Sequence, residues 1–450
     1  MKKIFSFFAT GPDAALINED KLVNSLYKKY RMQVMVAITI GYGVVYTCRL
    51  ALSVVKKPLI DGGIFSADDL GIIGSAIFYT YAFGKLTNGF LADHANMKKF
   101  FSFGVLISAL INLTMGWTPL LWVWIVLWAL NGWFQGFGAP AGIVSMTQWF
   151  SNNERGRRYG IWSTAHSIGE GLTFVGVAGF VSLFGWRAGF IAPGLTCIIV
   201  AILLYIFVQD RPRTLGLPTV ADWRNDHGIP VLGDEGKPQS VWSLQRSILK
   251  IPAIWILALS SATMYVTRYA INSWGILYLQ EEKGYTLLEA GSMLGLTTIA
   301  GILGCLAYGY ASDKLFHARR PPVTLIVGIL EILSLIIIFY APPGNPTLLT
   351  IAFVLYGFSL NGLVTTLGGL FATDIAPKKA AGAAMGFIGV FSYLAAATQE
   401  RISGLLIEKG TTIINGIRHY DFSVVTIFWI GASVVSLILA TSLWNVKVSD

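Results

Sequence analysis

The sequence predicts an all-α membrane protein of twelve transmembrane helices in two six-helix bundles, on three observations. Hydrophobic residues make up 54% of the 450 positions and charged residues 13%, with a mean hydropathy of +0.62. That mixture fits neither a soluble domain nor a disordered chain. Twelve apolar stretches approach the roughly 20 residues a helix needs to cross a bilayer. One long polar stretch, 209–250, divides them six and six, and the two halves share motifs in the same order.

In chain order the stretches are 33–55, 70–92, 100–117, 119–146, 159–185, 187–208, 252–279, 287–312, 321–341, 347–372, 380–407 and 421–445. Residues 1–32 read as a cytoplasmic N-terminal tail. Lys2 and Lys3 precede an apolar run too short for a signal peptide, and Asp13, Glu19 and Asp20 follow it. Residues 33–208 form the N-terminal six-helix bundle, 209–250 a cytoplasmic linker rich in Pro and Gly, and 251–445 the C-terminal bundle. Lys and Arg set the orientation. With both termini cytoplasmic, every basic residue outside the spans falls on the inside except Lys56, Lys57, Arg187, Lys283, Lys409 and Arg418. The net charge of +9 is then a topology signal, and no nucleic-acid partner is needed. Cys48, Cys197 and Cys305 all lie in spans without metal-ligand spacing, as small buried fillers.

The halves repeat. Gly89-Phe-Leu-Ala-Asp93 closes span two and Gly309-Tyr-Ala-Ser-Asp313 closes span eight, followed by Lys98 and Lys99 in one case and Arg319 and Arg320 in the other. Gly156-Arg-Arg-Tyr-Gly160 opens span five and Gly382-Ala-Ala-Met-Gly386 opens span eleven. Glycine alone recurs in any packed membrane helix, but here acids and bases recur with it. Such parallel repeats are related by an axis along the membrane normal, with the substrate held between them. Asp93 and Asp313, with Arg155 at the mouth of span five, are candidates for a conformational switch, pairing with cations and backbone donors in one state and releasing them in another.

Four cations lie inside apolar stretches: Arg49, Lys85, Arg268 and Arg401. A charge at the bilayer centre costs roughly 3 kcal/mol or more, so each must face a cavity or a partner. Tyr46-Thr-Cys-Arg49 and Tyr265-Val-Thr-Arg268 match across the two halves, and no acid lies near either arginine in sequence. One arginine from each half suggests a single site lined from both sides, and a positive site calls for an anion. Guanidinium offers phosphate a planar, two-pronged, charge-assisted contact. Tyr46 and Tyr265 stand at i, i+3 from their arginines and Tyr42 one turn further, on the same helix faces.

Several segments resemble the major facilitator superfamily and, within it, the organophosphate:phosphate antiporter family. They are the paired Gly-x-x-x-Asp loops, Gly41-Tyr-Gly-Val-Val-Tyr-Thr-Cys-Arg49, Leu130-Asn-Gly-Trp-Phe-Gln-Gly-Phe-Gly138, Glu154-Arg-Gly156 leading to Trp162-Ser-Thr-Ala-His166, and Ala376-Pro-Lys-Lys-Ala-Ala-Gly382. Asp210-Arg-Pro-Arg-Thr-Leu-Gly-Leu-Pro218 and Ala270-Ile-Asn-Ser-Trp-Gly275 look most like the hexose-phosphate branch, which also contains a non-transporting sensor. The resemblance implies the major facilitator fold. It also implies that Arg49 and Arg268 clamp the substrate phosphate, that His166 stands beside it as a donor, and that Lys85 faces the cavity. Trp162 and Trp274 would shape the cavity walls. The sequence departs from the family pattern at Leu50, at Thr298 where a glutamate is common, at Asn361, a candidate substrate-binding residue where an aromatic is usual, and at Glu170, Glu400 and Arg401. Glu170 or Glu400 is expected to offset the surplus positive charge of the empty site. Glu170 and Arg401 lie at different depths, which disfavours a direct pair.

The expected function is exchange of an organic phosphate, with hexose 6-phosphate first, for inorganic phosphate by alternating access. Glycerol 3-phosphate or another phosphate ester, and a transporter-like sensor of external hexose phosphate, are the alternatives. No phosphate-binding Gly-x-x-x-x-Gly-Lys loop, hydrolase triad or metal cluster occurs, so neither catalysis nor a cofactor is expected. The expected setting is a monomer in a bacterial inner membrane, whose partners are the lipid bilayer, a small phosphorylated metabolite and inorganic phosphate.

Overall fold

The structure, a computed structural model, describes residues 7–226, 246, 248–317, 319–376, 380–414 and 417–446. Lys2 and Lys3, residues 227–245 of the linker, Lys378 and Lys379 of the Ala376 motif, and Lys447 lie outside the described residues.

Twelve rods pack as two six-helix bundles. The first three are α1 (Asp20–Asp61), α2 (Ala67–Asp93) and α3 (Met97–Trp117). The fourth is broken into α4 (Leu121–Gln135) and α5 (Gly138–Trp149); the fifth runs through α6 (Asn152–Gly171), a π-helical turn at Leu172–Val177 and α7 (Ala178–Phe184). α8 (Ala188–Phe207) completes the N-terminal half. The C-terminal half contains α9 (Pro252–Glu282), α10 (Leu287–Tyr310), α11 (Arg320–Tyr340) and α12 (Pro346–Thr365), which continues through Thr366–Leu370 to α13 (Phe371–Ile375). It ends with α14 (Ala381–Gly410) and α15 (Ser423–Ser442). With an even number of rods, α1 begins and α15 ends on the same side, here called the terminal face; the other side is the far face.

Among the described residues, nine helices are long and apolar enough by themselves to cross a membrane. The three rods that fall short are α2, the α4–α5 pair and α14. α2 and α14 carry Lys85, Glu400 and Arg401, charged groups that lower their mean hydropathy. The fourth rod is interrupted at Gly136-Phe137, and the Asn88 side chain of α2 donates to the Trp133 carbonyl beside the break at 2.9 Å. A neighbour that satisfies freed backbone groups is what makes a broken helix tolerable at membrane depth.

Two sequence boundaries change. α1 starts at Asp20, inside the tail expected at 1–32, because its first turns are packed: Tyr27 stacks on Trp223 with centroids 4.1 Å apart, and its hydroxyl donates to the Pro218 carbonyl at 2.6 Å. α1 also continues past residue 55, so Lys56 and Lys57, expected in an outer loop, belong to the helix. The all-α expectation misses one small antiparallel hairpin, Thr412–Ile414 with Ile417–His419, on the far face.

The duplication is visible in structure. Ser66 and Asp69 form a capping box at the start of α2, and Thr286 and Glu289 form another at the start of α10, each residue 220 positions after its counterpart. Five residues after each cap residue comes a glycine that lets the halves touch. A Cβ on Gly71 would lie 2.8 Å from the Glu400 carbonyl oxygen of α14; one on Gly291 would lie 2.0 Å from the Phe174 carbonyl oxygen of the fifth rod. Gly404 completes the first contact, since its Cβ would come 2.5 Å from the Ala67 oxygen. Both seams between the halves are therefore closed near the far face, at the starts of α2 and α10.

Candidate functional site

Between the halves lies a cavity of about 450 Å3. It runs from the first turns of α6 and α14, at Tyr159 and Gly382, to Arg268. Tyr159 is exposed, so the cavity opens toward the terminal face. Of the residues singled out from sequence, Tyr42, Tyr46, Lys85, Trp162, His166, Tyr265 and Arg268 line it.

Close helix packing sets this wall. Gly169 lets α6 approach α1 so tightly that a Cβ there would lie 2.2 Å from the Gly43 carbonyl oxygen. That approach brings the Tyr46 and His166 rings to 6.3 Å. Gly142 of α5 plays the same part for Trp162, whose ring occupies the space of the missing side chain and stacks on Tyr42 at 4.7 Å. The His166 Nδ1 faces the Ser163 carbonyl, which can only accept, so Nδ1 carries a proton. Its Nε2 lies 3.4 Å from the Ser167 hydroxyl. Lys85 reaches across the cavity to the other half, where a Cβ on Gly389 of α14 would lie 3.3 Å from its Nζ.

The two arginines converge on Tyr269 of α9. Arg49 donates to its hydroxyl at 3.3 Å, and the Arg268 guanidinium lies 5.6 Å from its ring centroid. Their surroundings differ. Arg49 is buried behind rings, 4.1 Å from the Tyr81 centroid, 5.3 Å from Tyr46 and 5.5 Å from Tyr393. No carboxylate pairs with it among the described residues, and its buried Nε has no hydrogen-bond partner there. Arg268 instead forms an ion pair with Glu170 of the opposite half at 3.1 Å, and Asn272 donates to the same carboxylate oxygen at 3.3 Å. The absence of a nearby acid in sequence was thus no guide for Arg268, because its partner arrives from α6. Gly171, next to Glu170, faces Thr298: its Cβ would lie 3.3 Å from the threonine hydroxyl. The backbone beside Glu170 thus packs against the position where the resemblance implied a glutamate.

Other residues named from sequence lie elsewhere. Arg401 is not in the cavity: it pairs with Asp68 at the far face, and its side chain is 39% exposed. Glu170 and Arg401 thus have separate partners. Glu400 forms a wholly buried ion pair with Lys56 at 3.2 Å, and the Lys56 ammonium also donates to Ser273 at 2.7 Å. Trp274 does not line the cavity; its ring lies under Lys56, 3.2 Å from the ammonium. Asn361 faces α10 instead, filling the space beside Gly301 and donating to the Gly357 carbonyl at 3.1 Å. At the terminal face Asp313 pairs with Arg320 at 2.6 Å, and Arg320 also holds Asp374 at 2.7 Å. Asp93 ends α2 exposed. Arg155 donates to the Phe150 carbonyl of its own half at 3.2 Å.

Sequence reasoning missed Lys56, Tyr81, Tyr269, Asn272 and Tyr393. Tyr269 and Asn272 follow Arg268 by one and four positions, a helical spacing that could have flagged Asn272. Tyr393 and Lys56 carried no local signal, because their partners are on other helices.

A family model described as Major Facilitator Superfamily matches residues 32–398. The membrane sensor protein UhpC of Salmonella typhimurium is 34% identical over 87% of this chain and 89% of its own length. A glycerol-3-phosphate transporter of Bacillus subtilis is 30% identical over 98% of both chains. A probable hexose phosphate transport protein of Chlamydia trachomatis is 32% identical over 85% of this chain and 86% of its own. Among solved structures, a bacterial homolog of the human lysosomal transporter Spinster, in an inward-facing and unoccupied conformation, superposes with a TM-score of 0.76 at 16% identity. It covers 94% of this chain and 99% of its own.

Proposed function

The chain belongs to the major facilitator superfamily and, within it, to the organophosphate:phosphate antiporter family; on that premise we propose that it exchanges an organic phosphate, with hexose 6-phosphate first, for inorganic phosphate by alternating access. The observation that carries this reading is the pair of buried arginines, one from each half, meeting at Tyr269 at the end of a cavity that also holds His166 and Lys85. With the terminal face cytoplasmic, as the distribution of Lys and Arg argues, this cavity is open to the inside. Incoming phosphate displaces Glu170 from Arg268 and draws Arg49 out of its tyrosine cage, so one dianion comes to bridge both halves. His166 donates to the anion, and Lys85 adds a third cation from the wall.

In the empty site Glu170 supplies the carboxylate that Arg268 needs while no phosphate is bound. Glu400, held by Lys56, balances a different charge. The likeness to a membrane sensor favours a second reading, in which the same site reports phosphate ester without moving it.

Phosphate exchange in proteoliposomes tests these readings. Labelled inorganic phosphate should leave against external hexose 6-phosphate, with glycerol 3-phosphate as the competing substrate. Arg49→Lys should lower exchange by at least about a hundredfold, since a point charge cannot reproduce a two-pronged contact that contributes roughly 3 kcal/mol. Binding of the ester without any exchange would favour the sensor, and full exchange by Arg49→Lys would remove the clamp.

A further inference from the structure

A second cavity, apart from the central one, lies at the terminal face. Lys28 and Arg31 of α1, Arg158 of α6 and Arg224, which follows α8, surround about 310 Å3 together with the rings of Phe150 and Trp223. The three guanidinium groups lie over these rings. Arg31 is 4.7 Å from the Phe150 centroid, Arg158 5.1 Å from the same ring, and Arg224 4.2 Å from Trp223. Among the described residues Glu154 pairs with Arg31 and, at 3.3 Å, with Arg224. Lys28 and Arg158 have no ion pair among the described residues, and the buried Nε of Arg31 has no hydrogen-bond partner there. Among the described residues four cations and no carboxylate line this aromatic-floored hollow, which gives it a positive character.

Met32 belongs both to this pocket and to an apolar groove of about 390 Å3 between α1 and α8. The groove is walled by Val36 and Ile40 on one side and Leu203 and Phe207 on the other, all exposed on the outside of the bundle. Gln33 is its one polar lining residue, and its amide is tied to the Phe207 carbonyl at 3.0 Å. The apolar stretch of α1 starts at about residue 33 and α8 ends at Phe207, so the basic pocket sits where hydrocarbon gives way to headgroups and the groove runs below it.

We propose that pocket and groove together form a binding site for one anionic phospholipid. An acyl chain lies along the α1–α8 groove, and the headgroup phosphate is held by Lys28, Arg158 and the free Nε of Arg31, while Glu154 keeps its present partners. A soluble phosphate compound would use the pocket and leave the groove empty. A zwitterionic lipid would use the groove and bring no net charge to the cations. Only an anionic lipid uses both.

Native mass spectrometry of the full-length protein with added phosphatidylglycerol or phosphatidylcholine tests this. Phosphatidylglycerol should be retained in preference. The double variant Lys28→Gln/Arg158→Gln should weaken its retention about thirtyfold, from the attraction each cation exerts on an anionic lipid surface. Ala37→Trp, which fills the groove, should lower retention of both lipids. Thermal melting identifies any variant that fails to fold, and Lys28→Gln alone, predicted to give a smaller loss, then serves in its place. Equal retention of the two lipids, or unchanged phosphatidylglycerol retention in the double variant, would overturn the assignment. So would competition by glycerophosphoglycerol, the headgroup without chains, at the same concentration as the lipid.

Discussion

Among the described residues, the two faces of the bundle differ in their ion pairs: pairs that cross between the halves stand at the far face and not at the terminal face. At the far face several pairs join one half to the other: Lys56 to Glu400, Lys57 to Glu281 and Asp68 to Arg401, with Glu408 also accepting from the Ala67 amide at 2.9 Å, while Lys57 pairs as well with Asp61 of its own helix at 3.1 Å. At the terminal face, among the described residues, they stay within a half: Arg31 and Arg224 to Glu154, and Arg320 to Asp313 and Asp374. Bonds between halves must break when the far face opens, whereas bonds within a half survive rigid-body motion. The contrast separates groups that set which face is open from groups that keep each half intact.

The far-face bonds are unequal. Asp68 and Arg401 are each about a third exposed, and an exposed pair contributes about 0–1 kcal/mol. Lys56 and Glu400 are fully buried, with Glu400 Oε1 left without a hydrogen-bond partner among the described residues. Such a pair costs much of its attraction in desolvation, but losing one member strands a charge. Its clearest effect is therefore on specificity: the closed arrangement accepts both charges or neither.

The largest predicted effect comes from Gly404→Ala. The added Cβ meets backbone at 2.5 Å, so the α2–α14 seam should not close and exchange should be lost. Single-cysteine labelling from the far side should show the cavity permanently reachable there, while each half stays folded; normal exchange would show that the seam yields. Next, Lys56→Met should disfavour the far-closed arrangement by about 3–5 kcal/mol. Lys56→Met/Glu400→Met should recover most of that loss, and a double variant as impaired as the single would mean the pair has a role beyond mutual neutralisation. The smallest effect should come from Asp374→Asn at the terminal face. Loss of a charged hydrogen bond should lower stability by about 1.5–3 kcal/mol, seen as a lower melting temperature, without changing which face is labelled. A shift in labelling there would end the distinction between the two faces.

Much of this molecule was readable along the chain. Apolar stretches gave the rods, and duplicated motifs gave the two bundles. Burial in lipid forces a charge such as Arg49 or Arg268 toward the interior wherever it occurs. The same logic worked poorly at Arg401, near the end of its apolar stretch, where a long side chain reaches the far face and Asp68. Lys56 went the other way: read as a loop residue at the edge of an apolar run, it is buried because Glu400 and Trp274 wait for it on other helices.

Local composition and repetition along the chain encode the number of crossings, the pairing of halves, and an inward arginine in each half with Tyr42, Tyr46 and Tyr265 on the same helix faces, whereas Lys85, Trp162 and His166 were placed at the cavity by resemblance to the family. Only the tertiary structure decided the partners. Glu170 stands 98 positions from Arg268, and Glu400 stands 344 from Lys56. Charge pairing acts over a few ångströms of space and is blind to separation along the chain. Which carboxylate answers which cation was settled when backbones met at Gly71, Gly169, Gly291 and Gly404.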